Sequence, residues 1–260
     1  MIKYLVGVAI VAVLIGGVWY AMKNKEPQNP AQASYVIHGQ MVGYFSSAQG
    51  YSVAPTDAGN YPGVVLVHEW WGLNDQIKTQ AEILANRGYR VLAVDLFNGK
   101  VATTPAEAQK QVAALDQAKA LENLKAAEKY VRDQGSKKVA ALGWCFGGGQ
   151  ALQLSLAPGE KLSATVIYYG TPLVTDANQL KNIKWPVLGI FGDKDQAIPL
   201  DQINQLKSAL SANNIQNQIE IYPGVGHAFA NPTNLSGTYA PTEAAAAWNK
   251  TLVFLAEHLK

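Results

Sequence analysis

The chain has a single cysteine, Cys145, so no disulfide can form within it and its 260 residues depend on a core alone. Charge is sparse. Only 15 % of residues are Asp, Glu, Lys or Arg, the formal net charge is +2, and no Lys/Arg cluster interrupts the chain. That excludes the basic patch a nucleic-acid partner requires. Histidine is limited to His38, His68, His227 and His258, with no H-x-x-x-H, and one cysteine cannot make C-x-x-C, so no metal centre is expected. Neither G-x-G-x-x-G nor a Walker pattern occurs, so no nucleotide cofactor is implied. Any chemistry is expected to come from side chains alone. Arginine is rarest among the charged residues, with Arg87, Arg90 and Arg132 only.

What is present is apolar. At 48 % hydrophobic residues, the chain is rich enough for one globular domain with a large core. Tyr4 to Met22 forms a run without charge, flanked by Lys3, Lys23 and Lys25 and ending in Trp19 and Tyr20. Nineteen helical residues just span a bilayer, and aromatics belong at its interface. Residues 1–22 are therefore expected to be a membrane anchor with the rest of the chain outside the cytoplasm. The alternative is a signal peptide that releases a secreted or periplasmic protein, with Ala31-Gln32-Ala33 as an A-x-A site far beyond the run. Residues 23–34, polar with two prolines, read as a linker, and 35–260 as the folded domain.

Within that domain, Tyr35 to Phe45 and the stretch around Tyr51-Ser52-Val53 read as a hairpin. Gly63 to Val67 is a continuous β-branched run, as expected of a strand buried on both faces. Asn74 to Arg87 is an amphipathic helix ended by Gly88. Strands are expected at Arg90–Asp95, Val139–Leu142, Ala164–Tyr169, Val187–Phe191 and Gln218–Tyr222. Helices are expected from Thr104 to about Gln134, from Pro199 to Ala212 and from Thr242 to His258. Strands alternating with helices imply an α/β fold, with a mostly parallel sheet covered on both faces.

Gly143-Trp144-Cys145-Phe146-Gly147 follows the strand Val139–Leu142 and precedes a helix-like segment. Strand, sharp turn and helix with a nucleophile at the apex is the form of the G-x-S-x-G elbow, here with a thiol. Glycines on both sides leave room for a strained apex, and the helix N-terminus behind it favours a thiolate and then an oxyanion. A thiol nucleophile needs a base, and the base needs an orienting acid. His227 sits in Gly224-Val225-Gly226-His227-Ala228-Phe229, directly after the last strand, where open α/β sheets build their sites. Asp195 and Asp193 follow the strand Val187–Phe191. Asp195 is the better acid, Asp193 the better turn-shaper, and Asp176 a distant third. His68 ends the first core strand and reads as a satisfied core histidine, and His258 as an exposed residue of the last helix.

Five segments in order resemble the dienelactone hydrolase-like family of α/β-hydrolases: His68 to Asn74, Asp95-Leu96-Phe97, Gly143 to Gly147, Gly192 to Pro199, and Gly226 to Phe229. The resemblance spans roughly Tyr35 to Leu259. It implies an α/β-hydrolase fold and a Cys145–His227–Asp195 triad. It implies that Glu69 contacts the resting thiol, and that the N–H groups of Phe146 and Trp70 form an oxyanion hole. It also implies an aromatic substrate pocket with Trp71, Phe97 and Phe229 in its lining. One departure is plain. Where the family has arginines for a substrate carboxylate, this chain has Asn231 and, at a second place, Lys100, and neither equals an arginine's two-pronged grip.

These readings converge on a cysteine-nucleophile carboxylic ester hydrolase acting on a small neutral ester or lactone through a thioester, without a cofactor. The competing reading is a hydrolase-fold protein that binds at the cell surface without turnover. The sequence sets no oligomeric state and is compatible with a monomer.

Overall fold

A computed structural model describes residues 36–233 and 235–260. The expected anchor 1–22 and linker 23–34 lie outside the described residues. No helix among the described residues is long and apolar enough to cross a membrane.

Eight strands form one sheet: β1 (Ile37–Phe45), β2 (Ala48–Pro55), β3 (Gly63–Val67), β4 (Arg90–Ala93), β5 (Val139–Trp144), β6 (Ala164–Tyr168), β7 (Val187–Gly192) and β8 (Asn217–Tyr222). Their order is β1-β2-β4-β3-β5-β6-β7-β8. The hairpin β1–β2 and the β2–β4 pair are antiparallel, and every pair from β4 to β8 is parallel. All residues of β3, β5, β6 and β7 are buried, so both faces of the sheet's centre are covered, as their unbroken apolar sequences imply. Val64, Val65, Leu66 and Val67 are wholly inaccessible. Each such side chain stabilises the fold by roughly 1.5–3 kcal/mol relative to exposure.

The helices are α1 (Asp75–Ala85), α2 (Pro105–Ala113), α3 (Gln117–Asp133), α4 (Phe146–Leu156), α5 (Ala177–Leu180), α6 (Leu200–Ala212) and α7 (Pro241–Leu259). Asn74 caps α1 by accepting the Ile77 amide at 3.1 Å, and Ile77, Ala81, Leu84 and Ala85 form its buried stripe. The single helical region expected from Thr104 to Gln134 is two helices. Thr104 and Glu107 close a capping box at the start of α2. Asp116 then accepts the amides of Ala118 and Lys119, which restarts the chain as α3. The strand expected over Arg90–Asp95 stops at Ala93. The Asp95 carboxylate instead takes the amides of Phe97, at 2.8 Å, and Gly99, folding the chain into a turn.

The parallel strands place the C-terminal ends of β3, β5, β7 and β8 on one edge of the sheet, with β6 between β5 and β7, and those ends lead into Glu69, Cys145, Asp195 and His227.

Candidate active site

Cys145 joins β5 to α4 with φ +53° and ψ −122°, a backbone that L-residues other than glycine rarely adopt. Its neighbours hold it there. The Cys145 amide donates to Tyr168 O at 2.9 Å, and its carbonyl accepts from Thr171 N at 3.0 Å and Gly149 N at 3.1 Å. The two elbow glycines are required for close approach. A Cβ on Gly147 would overlap the carbonyl oxygens of Val67 and His68, and one on Gly143 would overlap the Gly147 carbonyl. The turn is thereby wedged between β3 and its own helix, with the thiol half-exposed at the apex.

Sγ of Cys145 lies 3.0 Å from Nε2 of His227, and Nδ1 of the same ring lies 2.8 Å from Oδ2 of Asp195. Asp195 has no exposed side-chain surface, whereas a quarter of the His227 side chain remains accessible. Oδ1 of Asp195 accepts the amides of Ala197 at 2.8 Å and Ile198 at 3.1 Å, so the carboxylate is aimed by its own loop. The histidine is held as firmly: Thr238 Oγ1 donates to His227 O at 2.6 Å. Burial alone lowers the pKa of His227, but the hydrogen bonds and charges of Asp195 and Cys145 outweigh it and raise the pKa to about 10. The imidazole therefore keeps its proton at neutral pH.

Asp193 does more than shape its own turn. Its Oδ1 accepts the Gly224 amide at 2.7 Å, fastening the acid's loop to the loop that carries His227. The Lys194 amide reinforces this by donating to Val225 O at 3.0 Å.

The expected contact of Glu69 with the thiol takes a different form. Glu69 is buried, its Oε2 accepts from Asn231 Nδ2, and its Oε1 has no hydrogen-bond partner among the described residues. The thiol bonds to His227 instead, because the imidazole already occupies its reach. Burial raises the Glu69 pKa to about 7, against the opposing effects of His227, Asn231 and the Tyr169 hydroxyl. Asn231, placed in the pocket by sequence, is instead a fixed internal spacer. Its Oδ1 accepts from Thr233 N at 2.9 Å and Thr233 Oγ1 at 2.7 Å while its amide serves Glu69.

Tyr169 had no signal in the sequence beyond its place at the end of an expected strand. It is fully buried at φ +35°, with its ring 5.1 Å from that of His227. The hydroxyl lies near Glu69, and burial, then Glu69 and Cys145, push its pKa well above 10.

Two expected pocket residues are core residues. Phe229 is completely inaccessible, wedged between Tyr169 and Tyr222. Trp71 is buried with Ala102 and Ala108 and meets Trp70 edge-on at 5.2 Å. An aromatic after a strand is as well suited to closing the core as to lining a pocket, and the sequence carries no sign that separates the two. Phe97 stacks on Phe146 at 5.3 Å, and both Phe97 and Lys100 line a neighbouring cleft. Phe146 opens α4, so its N–H faces away from the helix's own carbonyls. Among the described residues the Trp70 amide donates to no backbone carbonyl. His68 is a core histidine as expected. Its Nδ1 donates to Glu69 O at 2.6 Å and its Nε2 accepts the Leu96 amide at 3.1 Å. His258 is half-buried, not exposed, because its ring packs on Phe254 at 4.6 Å. No group of three or more potential metal ligands occurs among the described residues.

The arrangement sets a thiol, an imidazole and a buried carboxylate in one hydrogen-bonded line, a geometry that acyl transfer can use. The profile of the dienelactone hydrolase family matches residues 48–259. "Protein usf" of Aquifex pyrophilus is 31 % identical over 235 residues, covering 85 % of this chain and 99 % of that protein. A protein of Aquifex aeolicus, named by inference as a carboxymethylenebutenolidase, is 30 % identical over 234 residues, covering 85 % of this chain and all of that one. Among solved structures, a dienelactone hydrolase-like promiscuous phosphotriesterase from metagenomic libraries superposes with a TM-score of 0.79 at 26 % identity, covering 86 % of this chain and 99 % of that one. The chain belongs to the dienelactone hydrolase family of α/β-hydrolases.

Proposed function

We propose that this protein hydrolyses small uncharged carboxylic esters or lactones with Cys145 as nucleophile, His227 as proton carrier and Asp195 as its orienting acid. The observation that carries the proposal is the unbroken hydrogen-bonded line from Sγ of Cys145 through His227 to the buried carboxylate of Asp195, set on a strained elbow.

In the first half-reaction, Sγ attacks the carbonyl carbon. The N–H groups of Phe146 and Trp70 receive the developing oxyanion, and His227 gives its proton to the departing alkoxide. The products are an alcohol and a thioester on Cys145; a lactone opens with its alcohol still attached. Water then attacks the thioester while His227 takes its proton. The carboxylic acid leaves, and the sulfur recovers its pairing with the imidazolium.

The substrate class follows from what surrounds the thiol. The chain's arginines are elsewhere: Arg132 is bonded to Glu128 and to the carbonyls of Lys137 and Lys161, and Arg87 and Arg90 flank the turn into β4. The Asn231 amide is already occupied by Glu69. No bidentate clamp for a carboxylate stands beside the thiol.

The test is a panel of aryl esters and lactones with and without a carboxylate, run on the protein and on Cys145→Ala. Turnover of the neutral members that vanishes in the variant is the expected result. Turnover surviving in Cys145→Ala overturns the assignment, and a preference for carboxylate-bearing members overturns the substrate class.

We also propose that the apolar segment Tyr4 to Met22 anchors the chain with the hydrolase domain outside the cytoplasm. The uncharged run with lysines and aromatics at its ends supports this. Protease added to intact cells should digest the domain. Full protection would overturn the orientation.

A further inference from the structure

One cavity of the fold is not used by the proposed reaction. A cleft of about 610 Å³ opens between the β1–β2 turn, the loop from Leu96 to Ala102 and the junction of α2 with α3. Cys145, His227, Asp195 and Glu69 are not among its lining residues. Phe97 of its lining stacks on Phe146, the residue that follows the thiol in the chain. Its volume is that of a small-molecule site.

The walls combine two chemistries. Leu96, Phe97, Ala102, Leu115 and Ala120 supply an apolar interior. Lys100, Lys110 and Lys119 supply positive charge, and the cleft's two carboxylates do not balance it. Glu107 is occupied by Thr103 and Thr104. Asp116 accepts two amides and stands 4.0 Å from the Lys119 ammonium. Lys100 and Lys110 are exposed and have no carboxylate partner among the described residues. An apolar trough with free ammonium groups suits a ligand with a hydrocarbon tail and one negative end.

The cleft is also built in advance. The Asp95 carboxylate and His68 Nε2 pin its loop through the amides of Phe97, Gly99 and Leu96. Behind them, Tyr44 donates to Asn123 Oδ1 at 2.5 Å, and Asn123 Nδ2 donates to Asp95 O at 3.0 Å. These buried polar groups are bonded to one another, so they hold the wall in place without any ligand. The wall is tied to the reacting centre as well: Gln111 donates to Trp70 O at 3.3 Å, and Ala102 N to Trp71 O at 2.8 Å.

We propose that this cleft binds a medium-chain aliphatic carboxylate, its tail against Phe97 and Leu115 and its carboxylate on Lys100 and Lys110, at a site separate from the reactive thiol. The test is calorimetric titration of octanoate into the full chain after Cys145 has been capped with iodoacetamide, which closes the thiol site. One binding event is expected on the capped protein. It should weaken at least tenfold in Lys110→Glu, which reverses a free charge, and in Ala114→Trp, which fills the cleft from an exposed position. Octanamide, with the same tail and no charge, should bind at least tenfold more weakly. Unchanged melting temperatures in the two variants establish that they fold. No binding to the capped protein, unchanged affinity in both variants, or equal affinity for octanamide would each overturn the proposal.

Discussion

Asn231 donates its side-chain amide to Glu69 from 162 positions away, inside the protein. The bond joins the loop after His227 to the end of β3 without bringing a positive charge to a buried carboxyl. Burial therefore dominates, and Glu69 has its pKa raised from 4.5 to about 7. A carboxyl raised on folding stabilises fully below its unfolded pKa, and that contribution is lost as pH rises through the folded value. The protein should thus lose stability between pH 5 and pH 8. The share due to Glu69 is of the order of 3 kcal/mol, at about 1.4 kcal/mol per unit. Glu160, raised to about 7 by burial and by its neighbour Glu128, adds to the same window, and its partial exposure makes its share smaller. His227 adds a loss of its own from its unfolded value of 6.5 up to about 10, so the share of Glu69 is read from the fall below pH 6.5. Melting temperature against pH should show a shallower fall in Glu69→Gln than in the parent. An identical slope would refute the assignment.

The proton on His227 makes a second expectation. With the imidazolium 3.0 Å from sulfur and 2.8 Å from Asp195, iodoacetamide at pH 7 should alkylate Cys145 in the parent faster than in His227→Ala by roughly tenfold or more, because a neighbouring positive charge activates a thiol. A His227→Ala variant alkylated at the parent's rate would favour the non-catalytic binding reading over the hydrolase.

Much of this was legible in the chain because local physics and fold agreed. Gly63–Val67 could only be a strand covered on both sides. Gly143 to Gly147 carried its turn in its glycines, and the order of Cys145, Asp195 and His227 gave the line of the site. Other features depend on where distant segments meet. Nothing near Asn231 announces Glu69, and nothing near Asp193 announces Gly224, because each bond joins loops from different strands. Trp71 and Phe229 went to the core and not the pocket, since aromaticity says only that a side chain must be buried. The division of the 104–134 region into two helices was signalled by Asp116, a capping residue within an otherwise helical composition.

The close approach at Gly147 predicts a stability effect. Its α-carbon faces the Val67 and His68 carbonyls, both backbone atoms that cannot rotate away. Gly147→Ala must push α4 off β3 or distort the elbow. Overpacking of this kind costs about 1–3 kcal/mol. At roughly 2–4 °C per kcal/mol for a domain of this size, the melting temperature should fall by about 2–12 °C. Activity should fall with it, since Cys145 is carried on the same turn. Scanning calorimetry together with neutral-ester turnover reads both, and a variant matching the parent in both would show that the elbow has slack the structure does not suggest.

Asp193 offers a separation of positioning from chemistry. It touches none of the reacting groups, yet its bond to the Gly224 amide fixes the loop that presents His227. Its side chain is about a quarter exposed, so its removal should leave the core intact. Asp193→Ala frees the loop, and a displacement of about 1 Å at a catalytic group can cost 10²-fold in rate. The expected result is a kcat lower by about tenfold to a hundredfold, KM for a neutral ester nearly unchanged, and a melting temperature within about 3 °C of the parent, in line with loss of one exposed hydrogen bond. Asp193→Asn keeps an oxygen in the same place and should recover most of the rate. That recovery distinguishes loop positioning from an effect of the charge, and a kcat unchanged in Asp193→Ala would show that the two loops hold their alignment without the bond.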